Sequence, residues 1–258
     1  MKSLWTAIVA AFSTFSVLPT PHVEWNAYSL KNVLAALPLV GAVIGGFLCL
    51  YRWLSGLLEL PLILSAVVFT ILPIALSGGI HMDGYADVTD ALSSRAEPEK
   101  KRAILKDPHC GAFAVIAVGC YLLLYFGLCA ALPFDWKTVG LLGITHVLSR
   151  AIGSLLSLLP SGSSSGMQHA LKESAPKGTA WILIGWIVLS LGGAAVLSPV
   201  AAGAMLLAGV CVFFCVKRTA NKQFSGMSGD LAGAGITLSA IAMLLGLVLA
   251  ERTVSLWF

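Results

Sequence analysis

The sequence predicts an all-α, polytopic membrane bundle of about six to seven transmembrane helices, plus an N-terminal interfacial or re-entrant helix. Three observations carry that prediction. Of the 258 residues 58% are hydrophobic and only 11% charged, whereas a soluble domain carries about 25% charged residues. Apolar runs long enough to cross about 30 Å of hydrocarbon recur along the chain. Basic residues gather in the segments between alternate runs, as cytoplasmic loops require. Too few polar side chains exist to cover a water-facing surface. An ordinary soluble enzyme, a nucleic-acid-binding domain and a disordered chain are thereby excluded.

The elements follow in order. Lys2 and the apolar stretch to Leu18 have the outline of a signal peptide, but Pro19-Thr20-Pro21 offers no small-x-small cleavage site. The stretch is short for a crossing and is read as the interfacial or re-entrant helix. Spans are expected at roughly 33–51, 60–80, 112–132, 138–158, 179–197, 199–216 and 234–250. The sixth follows the fifth across Ser198-Pro199 alone. With no repeat and no domain linker, residues 1–258 are read as one membrane-embedded domain. Six cysteines without a CxxC point to neither a disulfide framework nor a zinc site.

Orientation comes from counting Lys and Arg. Twelve fall in the N-terminal region and in the loops at 81–111, 159–178 and 217–233. Only Arg52, Lys137 and Arg252 fall on the opposite side, and Arg150 lies within a span. The polar loops are therefore expected in the cytoplasm, and they hold nearly all the residues capable of chemistry.

Of the 12 acidic residues, six lie within residues 83–107. If residues 83–92 are helical, Asp83, Asp87 and Asp90 stand at i, i+4 and i+7, within an arc of roughly 60°. Such carboxylates repel one another and raise their own pKa values. A divalent cation relieves the repulsion, and oxygen ligands beside a glycine turn suit Mg2+. A solvated helix face is the simpler reading. Against it stand the scarcity of acids and the absence of any interleaved Lys or Arg before Arg95. His81 points elsewhere on an ideal helix; a cap or a supporting place behind the ligands is as open to it as direct ligation, and it is counted among the substrate-binding residues. Glu97 and Glu99 belong with Lys100, Lys101 and Arg102 to a surface segment of local ion pairs.

Lys106-Asp107 precedes a flexible Gly111 at the start of a span. Lys106 is read as a phosphate contact and Asp107 as a further metal ligand. Arg150, next to Ser149 and near His146, is an intramembrane arginine, which by default marks function and can fork two hydrogen bonds onto phosphate. Lys217-Arg218 and the Gly226-to-Gly233 stretch combine a basic pair, a glycine-rich anion cradle at Gly226 and Gly229, and a second acid, Asp230.

Taken together these residues resemble the cobalamin synthase family, the adenosylcobinamide-GDP ribazoletransferases. The likeness lies in Gly78-Gly79-Ile80-His81-Met82-Asp83-Gly84-Tyr85-Ala86-Asp87-Val88-Thr89-Asp90-Ala91, and in Ile104-Leu105-Lys106-Asp107-Pro108-His109-Cys110-Gly111. Leu148-Ser149-Arg150, the Gly226-Met227-Ser228-Gly229-Asp230-Leu231-Ala232-Gly233-Ala234 stretch, Phe12-Ser13 and Leu18-Pro19-Thr20-Pro21 extend it over essentially the whole chain. Two departures stand out: Val17 where many members have arginine, and no acid within Gly235–Ala240.

The resemblance implies a multi-pass enzyme of the prokaryotic cytoplasmic (inner) membrane that needs Mg2+. Such enzymes join adenosylcobinamide-GDP to α-ribazole or its 5′-phosphate, releasing GMP and forming adenosylcobalamin or its phosphate. Asp83, Asp87 and Asp90, with Asp107, are then expected to hold Mg2+ on the pyrophosphate. Lys106 and Arg150 would steady phosphoryl oxygens, and His81, Asp107, Gly226, Gly229 and Asp230 would contact substrate. Asp90 or Asp87 would take the proton of the attacking hydroxyl. The expected partners are these small molecules and the lipid bilayer, with no nucleic acid; a homo-oligomer is compatible with the sequence. A secondary transporter would call for ionisable groups near mid-membrane and inverted repeats. A CDP-alcohol-type membrane phosphotransferase shares the chemistry but not the His81-Met82-Asp83-Gly84 opening.

Overall fold

The computed structural model describes residues 2–24, 26–107, 109–162 and 166–257. These residues form α-helices joined by short turns, and the sole β-type pairing among them is an isolated bridge between Ser161 and Met227. The helices are α1 (Lys2–Phe15), α2 (Ala27–Leu30), α3 (Val33–Leu57), α4 (Leu62–Leu76), α5 (Ile80–Ser93) and α6 (Pro98–Ile104). They continue with α7 (Ala112–Ala131), α8 (Trp136–Ser157), α9 (Met167–Ser174), α10 (Thr179–Leu197), α11 (Pro199–Gln223) and α12 (Gly229–Trp257). Six of them, α3, α7, α8, α10, α11 and α12, are long and apolar enough to cross a membrane. The protein is a polytopic helical membrane bundle.

The expected span at 60–80 is not one continuous helix. Its apolar part is α4, and the chain then bends by 90° into α5. The cause is local. Gly79 N–H bonds to the Ile74 carbonyl at 3.0 Å and Gly78 N–H to the Ala75 carbonyl at 3.1 Å, a Schellman stop. Gly78 and Gly79 take φ of 64° and 74°, a left-handed pair that side-chain-bearing residues rarely adopt. Helix α4, 15 residues long, falls short of a full crossing by itself and reaches that length only together with α5, as a broken or re-entrant pair; α5, polar on one face, lies across its end. The other crossings agree with expectation, and Ser198 explains the tight α10–α11 link. It closes α10 and also caps α11, its side chain accepting the Ala201 N–H at 3.3 Å, with Pro199 at the first helical position.

Packing is graded from the inside out. Helix α8 is the most enclosed crossing, followed by α12 and α3, whereas α7, α10 and α11 leave most of their surface open. Leu123, Trp181, Val188 and Leu207 protrude from those outer helices, as lipid-facing side chains should. No hydrophobic drive exists between helices in lipid, so close packing of small residues takes over. A side chain on Gly41 of α3 would come within 2.2 Å of the His146 carbonyl on α8. One on Gly45 would meet the Gly143 Cα at 3.0 Å. The Gly41-x3-Gly45 stripe thus lets α3 seat directly on α8.

Chain order returns the α4–α5 bend, the ends of α8 and α11 and the starts of α7 and α12 to one end of the bundle. Lys217 and Arg218 fall on the last turns of α11 rather than in a loop, because α11 runs to Gln223. At the other end Arg52 and Lys137 are tied down. Arg52 Nε donates to the Phe134 carbonyl at 2.9 Å and its guanidinium lies 4.7 Å from the Phe134 ring centre. Lys137 pairs with Glu251 at 2.7 Å.

Candidate active site

Helix α5 carries the acidic run, and its setting follows from glycine. A Cβ on Gly84 would sit 2.8 Å from the Asp230 carbonyl and 2.9 Å from its Cα. One turn along, a Cβ on Gly233 of α12 would lie 3.4 Å from the His81 Cα. Thr237 closes the crossing by donating its hydroxyl to the His81 carbonyl at 3.0 Å. Gly84 is the glycine that lets α5 lie against the first turns of α12, Gly233 facing it at ordinary contact distance, and this sets Asp230 beside Asp83 and Asp87.

Asp83 is exposed, while Asp87 is partly covered. Burial first, then the charges of Asp83, Asp230 and Asp90, push the Asp87 carboxyl up to about 6. The i, i+4 carboxylates therefore do feel each other, and Asp230 joins them from a different helix. Among the described residues no three Asp, Glu, His or Cys side chains close into a ready-made metal cage. The donor set is oxygen-only and mutually repelling, which fits Mg2+ better than a softer ion. Mg2+ ordinarily takes one or two carboxylates and fills the rest of its shell with water and substrate phosphates.

Asp90 is differently engaged. Its carboxylate accepts the Gly111 N–H at 2.6 Å and the Ala114 N–H at 3.1 Å, capping α7 from a distance of 21 residues in sequence. Gly111 has no side chain to cap with, and an acid at a helix N-terminus stabilises it. Asp90→Ala is expected to cost about 1–2 kcal/mol of stability, read as a lower thermal midpoint in detergent. Asp90→Asn keeps one acceptor oxygen and should recover part of that loss.

The remaining predicted residues spread out. Asp107 engages its own turn, accepting the His109 backbone N–H at 3.0 Å and bonding His109 Nδ1 at 2.7 Å. Those hydrogen bonds hold its carboxyl below the usual carboxylate range. Lys106 is exposed beside it. Glu99 pairs with Arg102 at 3.5 Å, as expected of a surface segment, but Lys101 turns inward and bonds Gln223. Gly226, at φ 138°, serves loop packing, since a Cβ there would lie 2.5 Å from the Gly162 nitrogen. The Met227 backbone pairs with Pro160 and Gly162 at 2.9 and 3.0 Å, so this stretch is a loop clasp, while Gly229 opens α12.

His81 and Arg150 lie inside. The His81 ring is buried, stacks on Phe15 with centres 5.8 Å apart, and has no partner for Nε2. Arg150 is 3% exposed, so it does not open to the surface. Its Nη1 donates to the His146 carbonyl at 3.2 Å and the Ser149 hydroxyl at 3.3 Å, and its Nε has no partner. His146 Nε2 in turn lies 3.4 Å from the Tyr125 hydroxyl, and Tyr125 stacks on Tyr121. The buried guanidinium is thus held by His146 and Ser149 of its own helix, and Tyr125 of α7 reaches His146 from the other side.

Two cavities flank the first turns of α5. A cleft of about 270 Å3 reaches between α1, α3, α5, α8, α9 and α12 and is lined by His81, Asp83, Gln168, Gly229 and Asp230 among others. A groove of about 670 Å3 runs along the α4–α5 bend and α7 and also includes Asp83.

The chain matches the profile of the cobalamin-5-phosphate synthase family over residues 7–248. It belongs to that family. A relative from Lachnoclostridium phytofermentans, named adenosylcobinamide-GDP ribazoletransferase, is 37% identical over 98% of this chain and 96% of its own length. Relatives of the same name from Clostridium perfringens and Geobacillus kaustophilus are each 33% identical, covering 96% and 91% of this chain and 100% and 92% of their own. No solved structure matches the chain. For this cobalamin-5-phosphate synthase family member, the structure adds residues that the sequence alone did not single out. Phe15 and Gln168 reach the cleft from segments far apart in sequence, and Tyr121 and Tyr125 read only as apolar-span aromatics. For Asp90 a clue did exist: an apolar helix opening on Gly111 needs a cap from elsewhere.

Proposed function

We propose that the chain is an adenosylcobinamide-GDP ribazoletransferase of cobalamin synthesis, with its site at the cytoplasmic face of the inner membrane and Mg2+ as its cofactor. The single observation that carries the chemistry is that Asp83 lines both cavities, with Asp230 of a second helix beside it in the cleft and Asp87 one turn along α5, close enough to feel both charges. Asp83 and Asp230 are the residues that would hold the ion, with water and substrate phosphates filling the rest of its shell. When bound, Mg2+ neutralises pyrophosphate charge and eases the departure of GMP.

The protein's own share is placement. Asp83 lies where both cavities meet, so donor and acceptor can approach one centre. Asp87, whose carboxyl burial and the neighbouring acids push up to about 6, is the group to take the proton from the 3′-hydroxyl of ribazole as its oxygen attacks the phosphorus attached to cobinamide. The new P–O bond forms, the pyrophosphate P–O bond breaks, and GMP leaves. Lys106, on the exposed turn before α7, offers a cation to the phosphates. Arg150, enclosed below, supplies a fixed positive charge rather than a direct fork.

Membranes holding the protein, given adenosylcobinamide-GDP and α-ribazole, should release GMP and form the cobalamin product in equal amounts, measured by mass spectrometry. Substrate uptake into proteoliposomes with no product would favour the transporter instead.

A further inference from the structure

Building on the transferase reading, we propose that the enclosed cleft is the acceptor subsite: it takes the ribazole nucleoside, base inward, while the donor's leaving nucleotide lies on the groove side of Asp83. An in-line displacement requires the attacking and departing oxygens on opposite sides of phosphorus. Asp83 is the acid that lines both cavities. They extend from it in different directions, one toward α4 and α7, the other toward α3, α8 and α12.

The lining of the cleft decides the occupant. Its walls include Phe15, Leu34, Leu37, Leu171 and Ile236, which suit a flat base with an apolar edge. Most of its polar groups are already committed. Ser157 donates to the Gly153 carbonyl at 2.9 Å. Gln168 Nε2 donates to the Ser157 carbonyl at 2.8 Å and its Oε1 accepts from Ser161 at 3.0 Å. The exception is His81 Nε2, buried and unpartnered, a condition that proteins rarely leave unmet. A benzimidazole base has one free ring nitrogen and no other polar edge atom, so it asks for one hydrogen bond, which His81 can give once its ring, now closed over by its neighbours, turns toward the cleft. Guanine, with several donors and acceptors on its edge, would lose hydrogen bonds there. With the base edge-on to His81 and beside the apolar wall, the ribose falls at the Asp83 and Asp230 end, where its hydroxyl must react.

The test fills each cavity separately. Met167 lines the cleft but is 49% exposed, and Val118 lines the groove from the partly open face of α7; neither is in the catalytic machinery. Met167→Trp should raise KM for α-ribazole about tenfold and leave KM for adenosylcobinamide-GDP within twofold. Val118→Trp should show the reverse. A Met167→Trp enzyme whose donor KM rises, alone or together with the ribazole KM, or in which neither changes, overturns the assignment. If Met167→Trp inserts but turns nothing over, equilibrium dialysis of α-ribazole decides: weakened binding supports the subsite and wild-type binding refutes it. Wild-type protein that binds ribazole yet makes no product would instead refute the transferase reading and leave the cleft assignment standing.

Discussion

Asp83→Asn is expected to insert and fold as the wild type does, yet lose turnover about a hundredfold or more, the scale seen when one electrostatic contact to developing charge is removed. The substitution keeps shape and removes one negative charge at the point where the two cavities meet. Its thermal midpoint should not fall, because the carboxylates of Asp83, Asp87 and Asp230 repel one another and a neutral amide relieves the repulsion. Membrane insertion, melting in detergent and product formation measured on one preparation check all three statements. Near-normal activity would remove Asp83 from the site.

The second large effect is expected at Gly84, which touches no substrate. Gly84→Ala places a methyl group 2.8 Å from the Asp230 carbonyl and 2.9 Å from its Cα. Backbone on both sides is stiff, so α5 and α12 must move apart. Overpacking of this kind costs about 1–3 kcal/mol, partly offset by the roughly 1 kcal/mol better helix propensity of alanine. Activity suffers more than stability, because a misplacement of about 1 Å among reacting groups can cost a hundredfold. Turnover should therefore fall at least about tenfold with only a modest change in melting. Gly233→Ala is the matched control. Its new methyl would lie 3.4 Å from the His81 Cα, ordinary contact, and turnover should stay within about twofold. Equal losses in the two variants would show that the crossing does not set the acid geometry.

Much of this arrangement is legible in the sequence, for identifiable reasons. Hydropathy places every crossing because lipid enforces length and apolarity on each segment independently. The spacing of Asp83 and Asp87 is a local property of one helix, so periodicity reveals it. The 90° bend escapes hydropathy because residues 60–80 are apolar throughout, although Gly78-Gly79 is the signal that could have located it. What lies beyond one helix is harder to read. Asp230 joins Asp83 and Asp87 through the Gly84–Gly233 crossing, a contact spanning most of the chain. Asp90 shares their face by periodicity, but its carboxylate serves the α7 amides, and only tertiary packing discloses that. Arg150 illustrates the same limit: its position in a span marks it as special, but its enclosure with His146, Ser149 and Tyr125 is disclosed only by tertiary packing.

The central claim is that this apolar chain runs a cation-dependent transfer at its cytoplasmic acid cluster. Purified wild-type protein in lipid nanodiscs, supplied with adenosylcobinamide-GDP and α-ribazole, tests it most directly when Mg2+ is titrated in after chelation. The account predicts no product in chelator and saturable formation of GMP and cobalamin product, one for one, as Mg2+ is restored. Product formation that is equal with and without Mg2+, or no cobalamin product under either condition, would contradict it.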